Sequence, residues 1–183
     1  MAAADRRTLI QVFTINALFF VAEGLAGWWA QSMGLVADGL DMLADAIVYG
    51  LSLSAIGQVA VRKRRIAHLS GYFQLALAAI GFAEVLRRVF AAGAPPEPFT
   101  MALVSVFALA GNLTCLYLLR RAKDGEVHMQ ASWIFTSNDA KANVGVILAA
   151  GLVALTGTNW PDLVIGALIF VLVIRGAVRI LKL

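Results

Sequence analysis

Leu35-Val36-Ala37-Asp38-Gly39-Leu40-Asp41-Met42-Leu43-Ala44-Asp45 decides the fold class of this chain. Three carboxylates stand inside a run that is otherwise apolar from Val36 to Val61. Their spacing is i, i+3 and i+7, which puts all three on one face of an α-helix. A run of this length spans a bilayer, since a spanning helix needs ~20 mostly apolar residues. A charged side chain at the bilayer centre costs ~2.5–3.5 kcal/mol, so carboxylates placed there carry a task.

Working outward, the same apolar pattern repeats along the whole chain. The 183 residues are 61% hydrophobic and 14% charged, with a mean hydropathy of +0.82. Soluble chains run near ~45–50% apolar and ~25% charged, so this surface needs lipid as its solvent. Six spans are expected, at Leu9–Ala30, Val36–Val61, Ile66–Ala91, Phe99–Leu119, Val127–Thr156 and Pro161–Leu181. Breaks fall at 31–34, at the basic run Arg62-Lys63-Arg64-Arg65, at 93–96, at 120–126 and at 157–159. Long unbroken apolar segments, rather than alternating ten-residue strands, exclude a β-barrel. The expectation is an all-α membrane protein of six transmembrane helices, a single transmembrane domain over 1–183 with no soluble C-terminal domain. Arg6, Arg7, the Arg62–Arg65 run, Arg120, Arg121, Lys123, Arg175, Arg179 and Lys182 fall on one side. The positive-inside rule puts that side, and both termini, in the cytoplasm of a multi-pass protein of the cell (inner) membrane. Trp28, Trp29, Trp133 and Trp160 fall near span ends, as interfacial anchors do. The net charge of +4 belongs to these flanks, and no basic or aromatic module points to nucleic acid. The one cysteine, Cys115, sits in an apolar run and reads as a small buried hydrophobe. The N-terminal apolar run is too long for a cleaved signal.

The fifth span carries Asn138-Asp139-Ala140-Lys141-Ala142-Asn143, with Asp139 and Asn143 one turn apart on one face. Acidic residues gathered in apolar helices repel one another unless a positive charge sits between them or they take up protons. An oxygen cage from Asp41, Asp45 and Asp139, with an Asn amide as a neutral fourth ligand, suits a divalent cation. Protons then replace the cation when it leaves, and exchange needs no further device. The structural alternatives are that Lys141 occupies Asp139 and that Asp38, nearest the loop, caps or orients its helix instead of serving as a ligand.

At these residues the chain resembles the cation diffusion facilitator family. The resemblance runs through Asn16–Glu23 in the first span and Ser32-Met33-Gly34-Leu35-Val36-Ala37-Asp38 with Asp41 and Asp45 in the second. It continues through Glu84-Val85-Leu86-Arg87-Arg88 before Pro95-Pro96, and Pro161-Asp162-Leu163 at the start of the last span. It implies efflux of a divalent metal ion in exchange for protons, with the ion (Zn, Mn, Fe, Co, Ni or Cd) as cargo and no permanently bound cofactor. It also implies that Asp41 and Asp45 match the first half of the transport site and Asp139 part of the second. The family's remaining His or Asp falls at Phe135, which cannot bind a metal; Asn138, Asn143 or water then supplies the missing oxygen. Loss of an imidazole hardens the site toward Mn, Fe or Co. His68 stands where the family carries a His-rich segment and reads here as a solvated loop residue. The family's usual sensing and dimerising domain would follow Leu183, so a homodimer is expected to form through membrane helices.

Other residues have plainer expectations. Asn16 and Glu23 share a face and either line the outward path or hydrogen-bond between helices. Glu84 and Arg88 form an i,i+4 pair. Arg175 and Arg179 reach for the inner headgroups. His128 lies at the cytoplasmic mouth of the fifth span. Two other functions compete. An intramembrane aspartyl protease would also oppose two aspartates, but no Gly-x-Gly-Asp occurs at Asp45 or Asp139. A non-transporting relative that binds metal or a partner is compatible with Phe135.

Overall fold

The computed structural model describes residues 3–54, 60–91, 94–120 and 127–182. Six helices follow in order: α1 (Ala3–Ala30), α2 (Met33–Ser54), α3 (Ala60–Phe90), α4 (Pro98–Leu119), α5 (Val127–Thr156) and α6 (Trp160–Leu181). Their starts and stops have local causes. α1 closes on Gln31, which adopts a left-handed φ of 59°, while Ser32 N–H donates back to the Gly27 carbonyl at 2.9 Å. α4 opens on Glu97, whose carboxylate accepts from the N–H groups of Phe99 and Thr100, with Pro98 at the first helical position. α5 ends before Gly157, in the left-handed region at φ 62°, and its N–H returns to the Val153 carbonyl at 2.8 Å.

The basic run Arg62–Arg65, expected as a break, lies inside α3. Arg and Lys are good helix formers and lack a Gly or Pro to stop them, so the helix continues past its apolar part. His68 is accordingly a half-buried residue of α3, with Nε2 shielded and without a partner, rather than a loop residue. The second span, expected to run to Val61, is described to Ser54 as α2; residues 55–59 lie outside the described residues, and Ala60 and Val61 already belong to α3. Arg6–Ala30, Pro98–Leu119, Thr136–Thr156 and Trp160–Val178 are each long and apolar enough to cross a membrane. Across α2, three aspartates dilute the apolar composition.

α2 is the central helix and packs on α1, α3, α5 and α6. α1, α2, α4 and α5 close a four-helix set through the pairs α1–α2, α1–α4, α4–α5 and α2–α5. α3 and α6 pack on each other and dock as a pair against α2, with α6 also touching α5. Small residues permit the close approaches. A Cβ on Gly166 of α6 would stand 2.8 Å from the Met33 carbonyl carbon, and Phe170 of α6 fills the space beside Gly81 of α3.

Two apolar clusters flank a polar layer. One, near the α1–α2 turn, includes Met33, Leu35, Met101, Val146, Ile169 and Phe170. The other, toward the chain ends, holds Leu9, Val12, Tyr49, Cys115 and Leu119. Among the buried polar residues are Glu23, Asp38, Asp45, Asn112, Thr136, Asp139 and Asn143.

Candidate metal site

α2 and α5 bring Asp41, Asp45, Asn138 and Asp139 to one cavity of about 210 Å³. Gln74 of α3 and Leu172, Arg175 and Gly176 of α6 complete its wall, so it lies on the seam between the four-helix set and the α3–α6 pair. The carboxyl group of Asp139 lies within hydrogen-bonding reach of both Asp41 and Asp45. Its Oδ2 is buried and receives no donor. The Tyr49 hydroxyl donates to Asp45 Oδ2 at 3.0 Å and lies 2.9 Å from Thr136 Oγ1, tying α2 to α5 beside the cavity. Among the described residues no three His, Cys, Asp or Glu side chains are arranged to enclose an ion as they stand. The triad faces one cavity without closing around a single point.

Lys141 does not neutralise Asp139. It is exposed, and its Nζ donates to Asn138 Oδ1 at 3.3 Å. Among the described residues the ion pairs are those of Glu84 with Arg87 (2.7 Å) and Arg88 (2.9 Å). Arg88 also donates to the Gln31 carbonyl at 2.6 Å, so this expected pair holds the α1–α2 turn. Arg175, expected at the headgroups, lines the cavity itself.

Two candidate ligands lie elsewhere. Asp38 and Asn143 do not line this cavity. They meet one layer nearer the α1–α2 turn, where Asn143 Nδ2 donates to Asp38 Oδ2. Asn112 Nδ2 donates to Asn143 Oδ1 at 2.9 Å, and Glu23 joins the same group. Asn16 Nδ2 donates locally, to the Val12 carbonyl at 2.9 Å, and among the described residues it makes no bond across helices. The side chains of Phe135, His128 and Arg179 lie outside the described residues, so the expectations for them do too.

Gln74 in the cavity wall and Tyr49 beside it are polar residues that the sequence pattern did not bring forward. Tyr49 is four residues after Asp45 and therefore on its face, which was a usable signal. Gln74 is a lone amide within an apolar span, 2% exposed, and its Oε1 has no donor. Polar atoms in that condition are rare in native interiors. Gln74 lines the same cavity as the carboxylates, and an amide oxygen without a donor is a chemical type that suits a cation.

Comparison with known proteins bears on this arrangement. Residues 9–182 match the model of the cation efflux transmembrane domain. The zinc transporter ZitB of Yersinia pestis is 28% identical over 98% of this chain and 61% of its own length. The metal cation efflux system protein CzcD of Cupriavidus metallidurans is 25% identical over 90% of the chain and 56% of its own length. A cadmium, cobalt and zinc/H(+)-K(+) antiporter of Bacillus velezensis is 24% identical over 98% of the chain and 61% of its length. The chain thus spans about three fifths of the length of the curated relatives it matches.

Proposed function

The chain belongs to the cation efflux family, and from that premise we propose that it carries a divalent metal cation out across the inner membrane in exchange for protons. The observation that supports this most is the cavity where Asp41, Asp45 and Asp139 converge from α2 and α5; Arg175 lies in its wall, but among the described residues no base is ion-paired to the three carboxylates. A bound cation offsets the mutual repulsion of these groups; on its release, protons do the same. Transport follows without any bond being made in the cargo, so the protein is a carrier and not an enzyme.

Gln74 Oε1 and Asn138 Oδ1 are the neutral oxygens in reach of the cavity, and either replaces the donor absent at Phe135. Zinc, cadmium and cobalt are the ions named for the relatives, and an all-oxygen donor set extends the range to manganese and iron. The position of the cavity on the seam supports a cycle in which the α3–α6 pair shifts against the four-helix set and changes which end reaches the ion.

The test is reconstitution into vesicles holding a metal-sensitive dye, with Zn, Mn, Fe, Co, Ni and Cd supplied with and without a pH gradient. The expected result is uptake of at least one of them, driven by an opposing proton gradient. Asp45→Ala abolishes it, and Gln74→Ala raises the half-saturating metal concentration. Absence of uptake for every metal, or Asp45→Ala moving metal as fast as the parent, overturns the assignment.

A further inference from the structure

Glu23 of α1 and Asp38 of α2 form a second acidic group that the cavity above does not use. On α2, Asp38 stands about one turn (~4.5 Å of rise) from Asp41 and ~10 Å from Asp45, toward the α1–α2 turn, given a rise of ~1.5 Å per residue. The two helices are tightly apposed here: a Cβ on Gly39 would lie 3.1 Å from Gly24 N and 3.3 Å from Glu23 Cβ. Both carboxyl side chains are fully buried, at 0% exposure.

One amide organises them. Asn143 Nδ2 donates to Asp38 Oδ2 and, at 3.5 Å, to Glu23 Oε1. An ionised carboxylate only accepts, so the amide nitrogen has to face this pair, and Asn112 fixes that orientation from behind. Asn143 thus engages one oxygen of each acid, and the two carboxyl groups also lie within hydrogen-bonding reach of each other. Asp38 Oδ1 and Glu23 Oε2 are buried with no donor, and so is the neutral Asn112 Oδ1. Among the described residues neither acid is ion-paired to a Lys, Arg or His. Two buried carboxyl groups beside each other with no base are satisfied by a proton shared between them or by a cation that displaces it.

We propose that Glu23 and Asp38, with Asn112 Oδ1, form a second station for the transported divalent cation, between the Asp41–Asp45–Asp139 cavity and the α1–α2 end. The proposal rests on the transport assignment and adds a place to it. Oxygen-only donors with two formal charges fit a hard divalent ion. Two adjacent stations also ease release, because conduction needs binding that is favourable enough to enter and divided enough to leave.

The experiment is equilibrium dialysis of the purified full chain against Zn2+ and, separately, Mn2+, with bound metal counted by elemental mass spectrometry. For at least one of the two metals, two ions per chain are expected in the parent. Glu23→Gln and Asp38→Asn should each hold one, Asp139→Asn one, and the Glu23→Gln/Asp139→Asn double variant none. The ion retained in each single variant shows that the fold survives. A parent that binds one ion, lost in Asp139→Asn and kept in Glu23→Gln and Asp38→Asn, overturns the second station and leaves the transport assignment standing. A parent that binds neither metal overturns the second station, while the transport assignment is decided by the six-metal uptake assay above. Should the carboxyl variants aggregate, Asn112→Ala decides: one ion supports the station, two ions refute it.

Discussion

Tyr49 shows what single side chains contribute beside the cavity. Its hydroxyl orients the Asp45 carboxylate and joins it to Thr136 on α5. Groups that orient a ligand typically change metal affinity ~10–100-fold when removed. Tyr49→Phe should therefore weaken metal affinity by ~10-fold or more while the protein remains monodisperse, as measured by metal titration and size-exclusion chromatography. An unchanged affinity would mean that Asp45 holds its position without the phenol. Spacing alone was enough to bring Asp41, Asp45 and Asp139 forward, because a helical face follows from i, i+3, i+4 and i+7. It did not separate Asp139 from Asn143, which share a face but serve different layers ~6 Å apart. Depth along a helix is set by what the neighbouring helices present at that level, and Asn112 and Gln74 come from helices whose register no local pattern fixes.

Helix ends carry the next set of consequences. Asp162, in the first turn of α6, caps α2 from outside: it accepts from Ser32 Oγ at 2.5 Å, Met33 N–H at 2.7 Å and Gly34 N–H at 3.0 Å. Ser32 Oγ in turn accepts from Leu35 N–H at 3.1 Å. Four groups at the start of the central helix thus depend on one residue of the last. Asp162→Ala removes the acceptor of Ser32 Oγ, Met33 N–H and Gly34 N–H and should cost ~2 kcal/mol or more, read as a lower unfolding temperature in detergent. Glu97 caps α4 from an exposed position, and its hydrogen bonds, chiefly from Thr100 and then from Phe99, hold its carboxyl below the ordinary carboxylate range. Its contribution is complete above the unfolded value of ~4.3 and disappears as pH falls through the lower folded value. The stability gap between the parent and Glu97→Ala, ~1 kcal/mol at neutral pH, should accordingly shrink toward zero below pH ~4. The start of α6 was visible at Pro161 and that of α4 to within a residue at Phe99, whereas the start of α3 was not, because a basic run reads as a loop until its helix propensity is weighed.

At the scale of the whole molecule, the α1–α2, α3–α4 and α5–α6 connections gather at one end. Arg88 reaches Gln31, Glu97 N–H donates to the Ala30 carbonyl at 3.0 Å, and Asp162 reaches Ser32. Six helices running alternately up and down then bring both chain ends to the opposite face. Reporter fusions at residue 1 and residue 183 should both report the cytoplasm, as the basic residues on that face require; opposite signals would mean that a helix fails to cross. Six helices and their approximate limits were legible because lipid imposes apolar length on each span. The partnering of α3 with α6 was not, since it rests on the fit of Phe170 beside Gly81, a shape match without a sequence period. The three aspartates of α2 have a last consequence, for biogenesis. Each opposes entry into lipid by ~2.5–3.5 kcal/mol, so α2 is a poor insertion signal by itself. The tight Gln31 turn and the close fit of α1 to α2 around Gly27 and Gly39 supply the remedy. Insertion of α1 and α2 together as one hairpin is the expected outcome, with Asp38 facing Glu23 rather than the acyl chains.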